Sequence, residues 1–126
     1  MSKHVLIVDD EPAFRFSAGI ALRQAGYLIS EAENAEEALS ILFAQKRGEI
    51  PIDAVLLDIH MPMMTGLELL AAVESSGIKM PPTIVISGYA DGSIESDLKM
   101  KGYYGILHKP FEPSEMVKMV DQVLNS

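Results

Sequence analysis

The sequence predicts an α/β domain: a five-stranded parallel sheet, doubly wound, built as alternating (βα)5 units. Three observations predict it. Short β-branched or leucine-rich runs alternate with longer stretches of helical periodicity. The strand-like runs are apolar on successive residues, as expected of strands covered on both faces. Five such units fill the length, with no repeat, low-complexity tract or linker composition left over. Strands alternating with helices imply a parallel sheet with helices on both sides.

The first strand is "HVLIV", residues 4–8. In the helix that follows, Phe14, Ala18, Ala21, Leu22 and Ala25 form one apolar stripe, and Gly26 suits its C-terminal cap. "YLISEA" (27–32) reads as the second strand. The next helix opens on Asn34 as N-cap, with Glu37 at capping-box spacing. It closes on Lys46, Arg47 and Gly48, two cations to complement the helix dipole and a stop. The third strand is 52–58, followed by a helix over 66–77 that ends at Gly77. The fourth strand is 83–87, with a short, weakly apolar helix over 91–102. The fifth strand is 104–109, and a last helix over 113–125 carries Pro113 in or next to its first turn.

The chain has 126 residues, 48% of them hydrophobic, enough for one domain with a substantial core. It contains no cysteine, so disulfides and thiolate metal sites are excluded. No signal-peptide pattern opens the chain, and no apolar run approaches the ~18 residues of a membrane span. A cytoplasmic location without membrane attachment is the expectation. Eighteen acids against ten Lys and Arg give a net charge of −8. With no basic patch, direct nucleic-acid binding is not expected.

Right-handed crossovers place every strand's C-terminal end on one edge, where open sheets of this kind bind ligands. The first strand ends in Asp9 and Asp10, with Glu11 next. The third ends in Asp58, the fourth in Ser87 and the fifth in Lys109. Singly, each has a plainer explanation: Asp is a common turn residue, and Ser87 could cap the next helix. Together on one rim, clustered carboxylates repel unless a cation joins them. All-oxygen donors favour Mg²⁺, with Mn²⁺ as the alternative. Lys109 beside a cation implies that something anionic binds as well, and a phosphoryl group meets both. One carboxylate is then the nucleophile. Asp58 stands on its own strand, away from the Asp9–Asp10 pair, and is read as the phosphoryl acceptor.

Four segments, "VDDE" (8–11), "LLDIHMPMMTG" (56–66), "VISG" (85–88) and "HKPF" (108–111), resemble the signature segments of response-regulator receiver domains of two-component signalling. The resemblance covers the whole chain, 1–126, with motif order and spacing intact. It implies a flavodoxin-like, CheY-like fold and an Asp58 that accepts phosphate from a sensor histidine kinase or a histidine phosphotransfer protein. It also implies Mg²⁺ ligated by Asp10, Asp58 and the His60 backbone carbonyl, with Asp9 acting largely through water. Ser87 and Lys109 would grip the phosphoryl oxygens. The Lys109–Pro110 bond is cis in the family. The expected output is a switch in the surface formed by the 91–102 helix, the fifth strand and the last helix, read by a downstream protein or a fused output domain. No output domain is expected within these residues. A stand-alone receiver, a segment of a longer regulator or hybrid kinase, and a phosphorylation-dependent homodimer all stay open.

One position departs from the family. Receivers usually carry Tyr or Phe three residues before the lysine, where this chain has Ile106. Either Ile106 fills the slot and the aromatic step is lost, or Tyr104 or Tyr89 supplies a displaced ring. His60 and Tyr89 stand two residues after the acceptor and the hydroxyl, and a bulky ring at each is expected to shield the acyl phosphate from water. Met61, Met63 and Met64 read as local packing, and His4 and His108 as structural.

Two other functional classes compete. Aspartate-nucleophile phosphatases share the Asp, hydroxyl, Lys and Mg²⁺ set, but need a second Asp two residues after the nucleophile. His60 is there instead, so the chain is not expected to be an enzyme beyond its own phosphorylation and slow dephosphorylation. A degenerate receiver acting as a phosphorylation-independent binding module is the other alternative, and Ile106 is the residue that speaks for it. Flavin binding is disfavoured because "DDEPAF" puts carboxylates where a phosphate-cradling loop needs backbone donors.

Overall fold

Five strands form one parallel sheet in the order β2-β1-β3-β4-β5. The strands are β1 (His4–Val8), β2 (Leu28–Ala32), β3 (Ala54–Asp58), β4 (Thr83–Ser87) and β5 (Gly105–His108). The helices are α1 (Pro12–Gln24), α2 (Ala35–Lys46), α3 (Gly66–Ser75) and the last helix, α4 (Pro113–Leu124). This computed structural model describes residues 3–46, 48, 51–59, 66–77, 79–87, 105–109 and 111–125. The helix expected over 91–102 lies outside them, as do His60, Met61, Met63, Met64, Tyr89, Tyr104 and Pro110. Among the described residues, no helix is long and apolar enough to cross a membrane.

Period-two alternation divides each central strand between two cores. Leu6, Val8, Val55 and Leu57 pack against Ala35, Ala38 and Leu42 of α2 and Leu69, Leu70 and Val73 of α3. Val5, Ile7, Leu56, Ile84, Ile86 and Leu107 pack against Ala18 and Leu22 of α1 and Met116 and Val120 of α4. Every residue of β3 and β4 is buried, whereas β2, at the sheet edge, is half exposed. The consecutive apolar runs thus belong to strands sandwiched between helix layers.

Three local expectations are adjusted. Ala25 is the exposed C-cap residue of α1 rather than part of its buried stripe. Gly26 then turns at φ +98°. Its N–H donates to the Arg23 carbonyl (3.0 Å) and that of Tyr27 to the Leu22 carbonyl (3.0 Å), the paired bonds of a Schellman ending. At α2, Asn34 Oδ1 accepts from the Glu37 N–H at 2.8 Å, as a cap should. The Glu37 carboxylate, however, reaches past the N-cap to the Glu33 N–H at 2.8 Å, so the box is one residue wider than expected. The second and third strands also begin later than the sequence suggests, at Leu28 and Ala54. Leu28 opposes His4, the first residue of β1, and Ala54 opposes Val5.

Candidate phosphoacceptor and metal site

Consecutive chain segments run β1 to β2 on one side and β3 to β5 on the other. The strand order therefore reverses between β1 and β3, and a crevice opens there at the C-terminal edge. Asp9 follows β1 directly, and Asp58 ends β3. Both share the parity of Val5, Ile7 and Leu56, the set facing α1 and α4. Lys109, just past β5, continues the parity of Leu107 toward the same side. Strand register thus brings an acid, an acid and an ammonium to one corner. Asp58 is not set apart from the Asp9–Asp10 pair, as its separate strand suggested, because β1 and β3 are hydrogen-bonded neighbours.

Carboxylate oxygens of Asp9, Asp10 and Asp58 all lie within 4.8 Å of one another. Asp9 is fully buried and Asp58 is 4% exposed, whereas Asp10 opens to solvent. Three oxygen donors with one side open to water suit a hard divalent cation that keeps part of its hydration shell. Ser87 ends β4 at 3% exposure. Its carbonyl accepts from the Lys109 N–H at 2.8 Å, which ties the hydroxyl-bearing strand end to the lysine-bearing one.

Lys109 Nζ donates to Asp9 Oδ2 at 2.9 Å and to Glu11 Oε1 at 2.8 Å. It also sits 4.5 Å from the centroid of the Phe14 ring. Phe14 is held edge-on by Phe111, with ring centroids 5.8 Å apart at 81°. Burial alone would lower the lysine pKa. The hydrogen bonds to Glu11 and Asp9, with the fields of Asp9 and Asp58, outweigh burial and raise it. The ammonium is therefore already compensated by two carboxylates and does not by itself require an anionic ligand, a correction to the charge argument from sequence.

Asp9 is held from three directions. Its Oδ1 accepts the Glu11 N–H at 2.9 Å, its Oδ2 accepts Lys109, and its carbonyl accepts Arg15 Nη1 at 2.6 Å. Arg15 in turn pairs with Glu31 of β2, Nε to Oε1 at 3.4 Å. Among the residues singled out from sequence, the fold brings Asp9, Asp10, Asp58 and Lys109 together and places Ser87 on the same edge. Ile106 is half-buried on β5, opposite Val85. Phe14, Phe111 and Arg15 were not expected at the site. Phe14 packs against the core as its helical spacing predicts, and only its position three residues after Glu11, in the first turn of α1, hints at its second contact on the rim.

Comparison with known proteins agrees with this geometry. The chain is 35% identical over 125 residues to Sensor kinase CckA of Brucella abortus, a match covering 98% of the chain and 13% of that kinase's length. Chemotaxis protein CheY4 of Vibrio cholerae superposes with a TM-score of 0.83 at 32% identity, covering 98% of this chain and 100% of that one. Response regulator protein TrrA of Thermotoga maritima, solved in complex with Mg(2+)-BeF, gives 0.80 at 34% identity, covering 97% and 99%. The family pattern of the response regulator receiver domain matches residues 5–121, and the chain belongs to that family.

Proposed function

We propose that this chain is a phosphoacceptor whose Asp58 takes a phosphoryl group from a phosphohistidine of a sensor histidine kinase or a histidine phosphotransfer protein. The observation that carries the reading is the convergence of three carboxylates within 4.8 Å beside a lysine bound to one of them. An Asp58 oxygen attacks phosphorus, forming an O–P bond. The N–P bond of the donor breaks, and the imidazole nitrogen leaves with the electron pair. Asp9, Asp10 and Asp58 would hold Mg²⁺, which when bound neutralises phosphoryl charge. The Lys109 ammonium and the Ser87 hydroxyl supply the protein's own donors to the phosphoryl oxygens. The TrrA complex with Mg(2+)-BeF supports this assignment by analogy.

The product carries about one further negative charge at the strand edge, which biases a two-state surface read by a downstream protein or output domain. The chain is thus a stoichiometric switch rather than a multiple-turnover enzyme. Incubation with acetyl phosphate and Mg²⁺ tests this. At most one phosphoryl equivalent per chain is expected, with none in EDTA. Continuous phosphate release from generic esters would instead identify a phosphatase. A phosphorylation-independent binding module is the second reading, favoured by Ile106 at the usual aromatic position, and full partner binding by Asp58→Asn would select it.

A further inference from the structure

Glu11 is the N-cap residue of α1, yet its side chain makes no capping hydrogen bond. The carboxylate is turned instead to Lys109 Nζ, at 2.8 Å, and is 61% exposed. Asp9, the other acceptor of the same ammonium, is fully buried. Lys109 therefore has one fixed carboxylate and one that water can replace at little cost. Pro12, in the first turn, has no N–H and so removes one of the unpaired donors at the start of α1.

Resting on the phosphoacceptor reading, we propose that Glu11 is a positioning residue. It parks the Lys109 ammonium between β1 and α1 and yields it to a phosphoryl oxygen when Asp58 is modified. A phosphoryl group at Asp58 offers Lys109 an anionic acceptor, and Glu11 competes with that acceptor for the same ammonium. The competition is weak because Glu11 is solvated, and its size is that of an exposed ion pair, about two- to fivefold in an equilibrium constant. Glu11 therefore sets how tightly the site grips an anionic group without touching that group itself.

The test titrates the full chain with beryllofluoride at saturating Mg²⁺ by calorimetry, comparing the unsubstituted protein with Glu11→Gln, Glu11→Asp and Glu31→Gln. Glu31 is another exposed acid near the same rim, less solvated than Glu11, that pairs with Arg15 and not with Lys109. Glu11→Gln is expected to tighten beryllofluoride by about two- to fivefold. Glu11→Asp, which keeps the charge, should stay closer to the unsubstituted value, and Glu31→Gln should change little. Unchanged or weaker binding by Glu11→Gln would overturn the proposal. So would an equal tightening by Glu31→Gln, which would mean a general loss of negative charge. If the unsubstituted protein binds no beryllofluoride, the phosphoacceptor reading fails and this proposal with it. Normal binding with an inert Glu11→Gln removes the proposal alone.

Discussion

Lys109 Nζ lies 2.9 Å from the buried Asp9 Oδ2, joining residues 100 positions apart across the sheet edge. The contact links the ends of β1 and β5, which are separated in the sheet by β3 and β4. It places a permanent cation beside the carboxylates that would hold a second one. The balance between those two cations underlies the first two predictions.

Magnesium should stabilise the fold, because the carboxylate set exists only in the native chain. At ten times its dissociation constant the ion contributes about 1.4 kcal/mol, or about 5 °C in Tm for a domain of this size. Thermal unfolding with Mg²⁺ and with EDTA checks this. Identical melting temperatures would count against the metal site.

Replacing Lys109 with Met strands the Asp9 carboxylate, which is fully buried. In EDTA the variant should lose about 2 kcal/mol, below the full cost of breaking a buried pair because Lys109 is itself part-exposed. Without a competing ammonium, Mg²⁺ should raise the Tm of Lys109→Met by more than it raises that of the unsubstituted chain. An equal or smaller rise would show that lysine and metal do not share Asp9.

Tyr27 donates its hydroxyl to Asp121 Oδ1, fastening the turn after α1 to α4. Burial, then the hydrogen bond and the charge of Asp121, push the phenol pKa up from 10.0 to about 12. The protonated phenol is the form the fold prefers. This contribution is therefore present below the unfolded pKa of about 10 and is lost as pH climbs through about 12. Ultraviolet titration should show a late-ionising tyrosine, and Tyr27→Phe should remove that component while costing about 1 kcal/mol. A titration unaltered by the substitution would remove the assignment.

At Gly105 an added Cβ would stand 2.7 Å from Met119 Sδ, so the methionine side chain occupies the space that a larger residue here would need. Gly105→Ala should cost about 1 kcal/mol, a moderate overpacking penalty because the methionine can bend away. Met119→Ala in the same chain should recover most of the loss in urea unfolding. No recovery would place the strain elsewhere.

Much of this architecture was legible in the sequence because the relevant signals are local. Consecutive apolar residues in 54–58 and 83–87 encode burial on both faces, and Gly26 and Gly77 mark helix ends by the positive φ they adopt. Carboxylates and lysine at strand ends were legible for the same reason, since a parallel sheet sends all those ends to one rim. The partners of Lys109 were not. Whether an ammonium pairs with Asp9, Glu11 or an external anion depends on distances between elements far apart in sequence, which no local pattern records. Phe14 shows the same limit: its helical spacing marks a residue packed against the core, as it is, but says nothing of the Lys109 ammonium over its ring.

On the proposed function Asp58 is the oxygen nucleophile of the rim, and intact-mass spectrometry after incubation with acetyl phosphate and Mg²⁺ reads its modification. The unsubstituted chain should gain one phosphoryl group and Asp58→Asn none, with both giving the same far-ultraviolet circular dichroism. A folded Asp58→Asn protein that still acquires the label at the normal rate would contradict it.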